Sequence, residues 1–149
     1  MVNIRSATED DYSTIHDVHM DSIKGMSSDE RDSPDTDEWI ENRTANDLLK
    51  EMAAEYFVVA EKNRQIVGFA ALHFPKATIT SVFVGSSHKH SGVGRALLRE
   101  LERVAGLAGL PAVRLQAAGS AIDFYKKAGF KSIKESQKPR WAEMKKKLS

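Results

Sequence analysis

The sequence predicts a mixed α/β domain, a sheet flanked by helices. Three observations carry this. Short apolar runs of strand length alternate along the chain with longer stretches of helical periodicity. One such run, Ser81-Val82-Phe83-Val84, breaks at Gly85 into a polar turn, and a helical pattern opens at Gly92-Val93-Gly94. The chain is 149 residues long, which suits a single domain over 1–149 built on one sizeable core.

The elements follow in order. Val2 to Ser6 reads as a first strand. Thr8-Glu9-Asp10-Asp11 is a helix start, a capping hydroxyl with acids in the first turn. Ile15, Val18, His19 and Ser22 give this helix a narrow buried face, and Gly25 closes it. Ser27 to Glu38 is loop-like and acidic, with Asp29, Glu30, Asp32, Asp35, Asp37 and Glu38 against Arg31, and Pro34 prevents a continuous helix there. A second helix is expected from about Asp37 to Met52, burying Trp39, Ile40, Leu48 and Leu49. Tyr56 to Glu61 is a strand, Lys62-Asn63-Arg64 turns it, and Gln65 to Phe74 returns as a hairpin. Pro75-Lys76 breaks the chain before the strand from Ala77 to Val84. The helix after the glycine turn places Val93, Leu97, Leu101 and Val104 on one face, and Gly109-Leu110-Pro111 ends that element. Ala112 to Ala117 is a strand, Ser120 to Lys127 a short helix and Phe130 to Glu135 a strand. Pro139 precedes a last strand from Trp141 to Leu148.

Composition narrows the function classes. The net charge of +1 argues neither for nor against nucleic acid. The basic tail (Lys138, Arg140, Lys145, Lys146, Lys147) reads as a solvated face. No run approaches the roughly 20 apolar residues of a membrane span. Met1 to Arg5 lacks the layout of a secretory signal, so a cytoplasmic location is expected. There is no cysteine, hence no disulfide, thiolate metal site or cysteine nucleophile.

The glycine turn suits an anion. N–H groups in a first helical turn lack intrahelical partners, and the dipole adds partial positive charge. Glycines at positions 92 and 94 let a phosphate approach the main chain, and Lys89, His90 and Arg95 add donors. The turn lacks the Gly-Lys-Ser/Thr of a P-loop, and Leu97 stands where a dinucleotide fingerprint has its third glycine. Taken alone, a plain glycine-rich turn is the competing reading.

A second segment is Ala121-Ile122-Asp123-Phe124-Tyr125-Lys126-Lys127-Ala128-Gly129-Phe130, a helix that ends at a glycine before a strand. Together the two segments resemble the GNAT superfamily of N-acetyltransferases. The first matches that family's pyrophosphate loop, (Gln/Arg)-x-x-Gly-x-(Gly/Ala), and the second its A-x-x-F-Y-x-x-x-G-F helix and turn. The likeness runs from Ile4-Arg5 to Met144-Lys145-Lys146.

The resemblance implies the GNAT fold, with six to seven strands, about four helices and splayed central strands that hold coenzyme A. It implies acetyl-CoA as donor, no metal, and direct attack by a primary amine on a small molecule, amino sugar, amino acid or peptide. It implies main-chain donors to the pyrophosphate from Lys89, His90, Ser91, Gly92, Val93, Gly94 and Arg95. Pantetheine would pair with Val82, Phe83 and Val84, and the Val84 N–H would face the carbonyl oxygen as it gains charge. Ala118, Ala121, Phe124, Tyr125 and Lys127 complete the coenzyme side. Tyr125 matches the general acid for the leaving thiolate; the competing reading is a core aromatic beside Phe124 and Phe130.

Three positions depart from the family pattern. Lys89 replaces Gln or Arg and keeps charge without the planar fork. Ala118 replaces a common Asn or Ser. Thr78 stands where some members place a glutamate base. An alkylamine of pKa about 10 costs about 4 kcal/mol to deprotonate at neutral pH, so something must accept that proton. Water and His73 are the candidates, His73 being also readable as a surface histidine. His16 and His19 lie one turn apart on the first helix, with no third ligand evident for a metal. His88 and His90 face either phosphate or solvent. The acidic stretch 29–41 either attracts a cationic acceptor, such as a polyamine, amino sugar or lysine-containing peptide, or is a solvated loop. Two other functions stay open: a non-catalytic acyl-CoA-binding module of the same fold, and a tRNA-directed acetyltransferase toxin, which the near-neutral charge does not favour. The protein is read as a monomer or homodimer with no membrane partner.

Overall fold

The structure, a computed structural model, describes residues 2–24, 55–89, 91–119, 121–137 and 140–148. The end of the first helix at Gly25, the acidic stretch 29–41 and the helix expected over 37–52 lie outside the described residues. Strands β1 (Asn3–Ser6), β2 (Tyr56–Lys62), β3 (Gln65–His73), β4 (Thr78–Val84), β5 (Ala112–Ala118), β6 (Lys131–Gln137) and β7 (Arg140–Lys147) form one sheet. Their order is β1-β2-β3-β4-β5-β7-β6. The described helices are α1 (Tyr12–Lys24), α2 (Val93–Leu107) and α3 (Ala121–Lys127). Mixed α/β architecture is therefore as expected, with seven strands.

The sheet carries two apolar layers, because strand side chains alternate between faces. On one face α2 contributes Val93, Leu97, Leu98, Leu101 and Ala105, and α3 contributes Ile122 and Tyr125. These pack on Val58, Ala70, Leu72, Ile79, Val113, Leu115, Ala117, Ala142 and Met144. On the other face Ile15 of α1 packs on Phe57, Val59, Phe69 and Ala71. The stripe of α2 runs in steps of four from Val93 to Ala105, so Val104, expected in the core, is only half-buried. In α1, Ile15 and His19 are buried and Val18 is half-buried.

Local chemistry refines several boundaries. The predicted helix start at Thr8 is a short 3-10 turn, Glu9–Asp11, leading into α1. The Thr8 N–H donates to Asp11 Oδ2 at 2.8 Å. Arg5 donates to both Asp11 oxygens, at 2.8 and 2.9 Å, and to Glu61 Oε1 at 2.6 Å. Its guanidinium holds the Asp11 carboxyl down to about 2. The predicted break at Pro75 is a second 3-10 turn, Phe74–Lys76, after which Ala77 takes a left-handed φ of 49°.

Candidate active site

The sheet is continuous except at one seam. β3 and β4 pair along their length, as do β5 and β7. The two halves, however, meet only at Thr78 opposite Arg114 in a parallel pair, where the Arg114 N–H donates to Ala77 O at 2.8 Å. Beyond that contact β4 and β5 splay. The Gly85 N–H donates to Val67 O at 2.8 Å, on the β3 side. Because backbone groups alternate sides along a strand, the Val82 and Val84 N–H groups turn toward the seam. Val82 and Val84 pack on the α2 layer, whereas Phe83 packs on the α1 layer.

The start of α2 lies at the open end of this seam. Its first intrahelical bond is Ala96 N–H to Gly92 O, at 3.1 Å, so the N–H groups of Gly92, Val93, Gly94 and Arg95 precede the ladder. Gly92, at the cap, has a left-handed φ of 88°, brings no side-chain acceptor, and would place a Cβ in open space. A Cβ on Gly94 would stand 3.4 Å from Phe124 Cζ and 3.6 Å from Val84 Cγ2. Gly94 thus lets the helix start meet β4 on one side and α3 on the other. These donors without an acceptor in the helix, and the missing side chains, fit a pyrophosphate.

The turn between β4 and α2 is tied down. Ser86 donates to Asp21 of α1 through its N–H (2.8 Å to Oδ2) and its hydroxyl (3.0 Å to Oδ1). The His88 N–H donates to Gly85 O at 2.9 Å, closing a 3-10 turn over Ser86–His88. The Ser91 hydroxyl donates to His88 O.

Comparison with known proteins agrees with this geometry. A family model for the acetyltransferase (GNAT) domain matches residues 23–148. The chain belongs to the GNAT acetyltransferase family. Solved structures share the fold. PaiA N-acetyltransferase from Thermoplasma acidophilum, in complex with coenzyme A, superimposes with a TM-score of 0.84 at 23% identity, covering 99% of each chain. An N-acetyltransferase from Staphylococcus aureus Mu50 gives 0.78 at 20% identity, over 100% of this chain and 99% of the other. The ribosomal-protein-S18-alanine N-acetyltransferase of Escherichia coli gives 0.71 at 18% identity, over 100% and 95%. No curated protein sequence gives a significant match.

Within this GNAT domain the residues singled out by sequence converge unevenly. Val82, Val84, Gly92, Val93, Gly94 and Phe124 surround the open end of the seam. Arg95 is half-buried in the first turn of α2, and Lys89 half-buried before it. Ser91 is exposed, and His90 lies outside the described residues. Ala118 ends β5 opposite Trp141 and is buried, while Ala121 packs against the core. Lys127 is exposed in the last turn of α3. Tyr125 is 8% exposed, edge-on to Phe124 (5.0 Å between centroids) and to Phe130 (5.7 Å). It therefore makes the contacts of a core aromatic whatever its hydroxyl does. Thr78 donates to Lys76 O at 2.9 Å and sits at the single joint between the half-sheets. His19 is buried, its ring 4.4 Å from Phe83 and 5.6 Å from Phe69.

Two residues escaped the sequence reading. Asp21 ties α1 to the glycine turn across 65 positions, a contact with no local signature. Glu55 accepts the Thr80 hydroxyl at 2.7 Å, on the strand that borders the seam. Thr80 is skipped in the β3–β4 register, a bulge between Ile79 and Ser81. A bulge is an extra residue counted against the partner strand, so one strand's sequence does not announce it.

Proposed function

We propose that this protein transfers acetyl from acetyl-CoA to a primary amine. The observation that carries the reading is the split between β4 and β5 beside a helix start whose N–H groups have no acceptor within the helix. Main-chain donors from Lys89 to Arg95, with Ser91 and His90 beside them, would hold the pyrophosphate. Each bond to a charged group contributes about 1.5–3 kcal/mol. Val82 and Val84, whose backbone groups face the seam, would pair with the pantetheine amides, with Phe83 between them directing its own backbone to β3. Ala118, Ala121, Phe124 and Lys127 would form the opposite wall. Bound acetyl-CoA would supply the acyl group as a thioester. The Val84 N–H would meet the carbonyl oxygen where negative charge grows. Tyr125 would give its phenolic proton to the departing sulfur. The amine loses its proton to water or a nearby base, at a cost of about 4 kcal/mol at neutral pH.

The test is thiol release from acetyl-CoA across a panel of amines, amino sugars and peptides. The chain has no cysteine, so the protein adds no thiol background. Amine-dependent release is the expected result. Coenzyme binding with no release from any acceptor would instead favour a non-catalytic acyl-CoA-binding module. Tyr125→Phe is expected to lower kcat about 10²-fold with a changed alkaline limb. Unchanged turnover across pH would remove the acid role and leave Tyr125 a packing residue.

A further inference from the structure

The side of the sheet opposite α2 and α3 has an unusual charge pattern beside the seam. Paired residues in adjacent strands share a face. Arg114 of β5 stands opposite Lys145 of β7, and Lys145 stands opposite Lys131 of β6. Three cations therefore form one row across three strands, on the face away from buried Val113 and Met144. Arg114 and Lys131 are exposed and Lys145 is half-buried. None of the three has an ion pair among the described residues. Like charges placed directly opposite destabilise a sheet. The next row holds Gln116, Glu143 and Lys134, so one carboxylate lies within the patch.

This row begins at the seam itself, because Arg114 is the residue that pairs with Thr78. Across the seam one carboxylate stands beside β4, with exposed Lys76 just before that strand. Exposed Thr80 of β4 is held by the Glu55 carboxylate. A carboxylate thus borders the N-terminal half-sheet and a line of cations the C-terminal one.

We infer that the amine acceptor is a peptide whose reactive amine is followed by acidic side chains. The amine enters on the Thr80–Glu55 side of the seam, and the carboxylates lie on Arg114, Lys145 and Lys131. A small amino acid has one carboxylate, or two where its side chain is acidic, and so cannot engage all three cations. Strands spaced about 4.8 Å apart spread the three cations over about 10 Å, which asks for several carboxylates in succession. A long polyanion such as RNA is disfavoured by Glu143 within the patch and by the net charge of +1. The inference rests on the acetyl-transfer reading above.

The experiment uses three peptides with the same N-terminal amine, followed by Glu, Gln or Lys residues. Thiol release with the full chain is expected to give kcat/KM in the order Glu, Gln, Lys, the Glu advantage shrinking as salt rises. Lys145→Glu places a carboxylate between Arg114 and Lys131. It is expected to raise Tm by relieving the like-charge row, yet to weaken selection of the Glu peptide roughly three- to tenfold. A merely structural role would move stability and selectivity in the same direction. Fluorescence anisotropy of labelled Glu and Lys peptides reads docking without turnover. Equal kcat/KM for Glu and Lys peptides, selectivity unchanged in Lys145→Glu, or tighter binding of a single-stranded RNA oligonucleotide each overturns the inference. Acid-selective docking with no thiol release supports the surface and overturns the acetyl-transfer reading instead.

Discussion

Arg5 shows how much one side chain can organise. It joins β1 to the 3-10 turn through Asp11 and to β2 through Glu61. The Asp11 carboxyl, nearly buried, titrates at about 2 rather than 3.8, chiefly because Arg5 hydrogen-bonds its charged form. Its folded pKa is lowered, so the contribution is full above the unfolded value and is lost as pH falls from 3.8 toward 2. The shift corresponds to about 2 kcal/mol. Urea melts of wild type and Asp11→Asn should therefore differ by about that amount at pH 7 and converge near pH 2. Equal stabilities at pH 7 would remove this role. The sequence marked Thr8 and the acids after it as a helix start, which rests on local spacing. It was silent on Arg5 because that partner is set by how β1 lies against β2. Tyr125, by contrast, was found through a motif, and its burial became visible only in the packed structure.

Among the elements, β3, β4 and α2 meet at Gly68. A Cβ there would stand 2.9 Å from Phe83 O, 3.1 Å from Val93 Cγ1 and 3.2 Å from Leu97 Cδ1. The helix start can sit against the sheet only because this side chain is absent. Gly68→Ala should cost about 1–3 kcal/mol by overpacking, read from urea melts, and should raise KM for acetyl-CoA by shifting the start of α2. A neutral effect on both would show that the contact relaxes freely. Strands and helices themselves were largely readable from apolar periodicity, to within a residue or two. The 3-10 turns and the bulge at Thr80 were not, since each depends on a neighbouring element. The glycine turn was readable as a candidate anion site, but Asp21, which anchors it, was not.

For the whole molecule, local pattern predicted a sheet with flanking helices and the family resemblance implied the seam, but the order β5-β7-β6 is visible only in the structure. The splay has a consequence for how the chain opens. β1 to β4 form one hydrogen-bonded set and β5 to β7 another, with one backbone pairing between them. What joins them is side-chain packing: α2 lying over both, Phe124 against Gly94, and Lys146 of β7 paired with Glu102 of α2 at 2.6 Å. Native-state hydrogen exchange should then resolve two cooperative units, with amides of β2–β4 and β5–β7 losing protection at different denaturant concentrations. A single common opening energy would mean that packing across the seam is as strong as either ladder. A ligand that binds across the gap would supply the missing cross-links, so its addition should merge the two units into one.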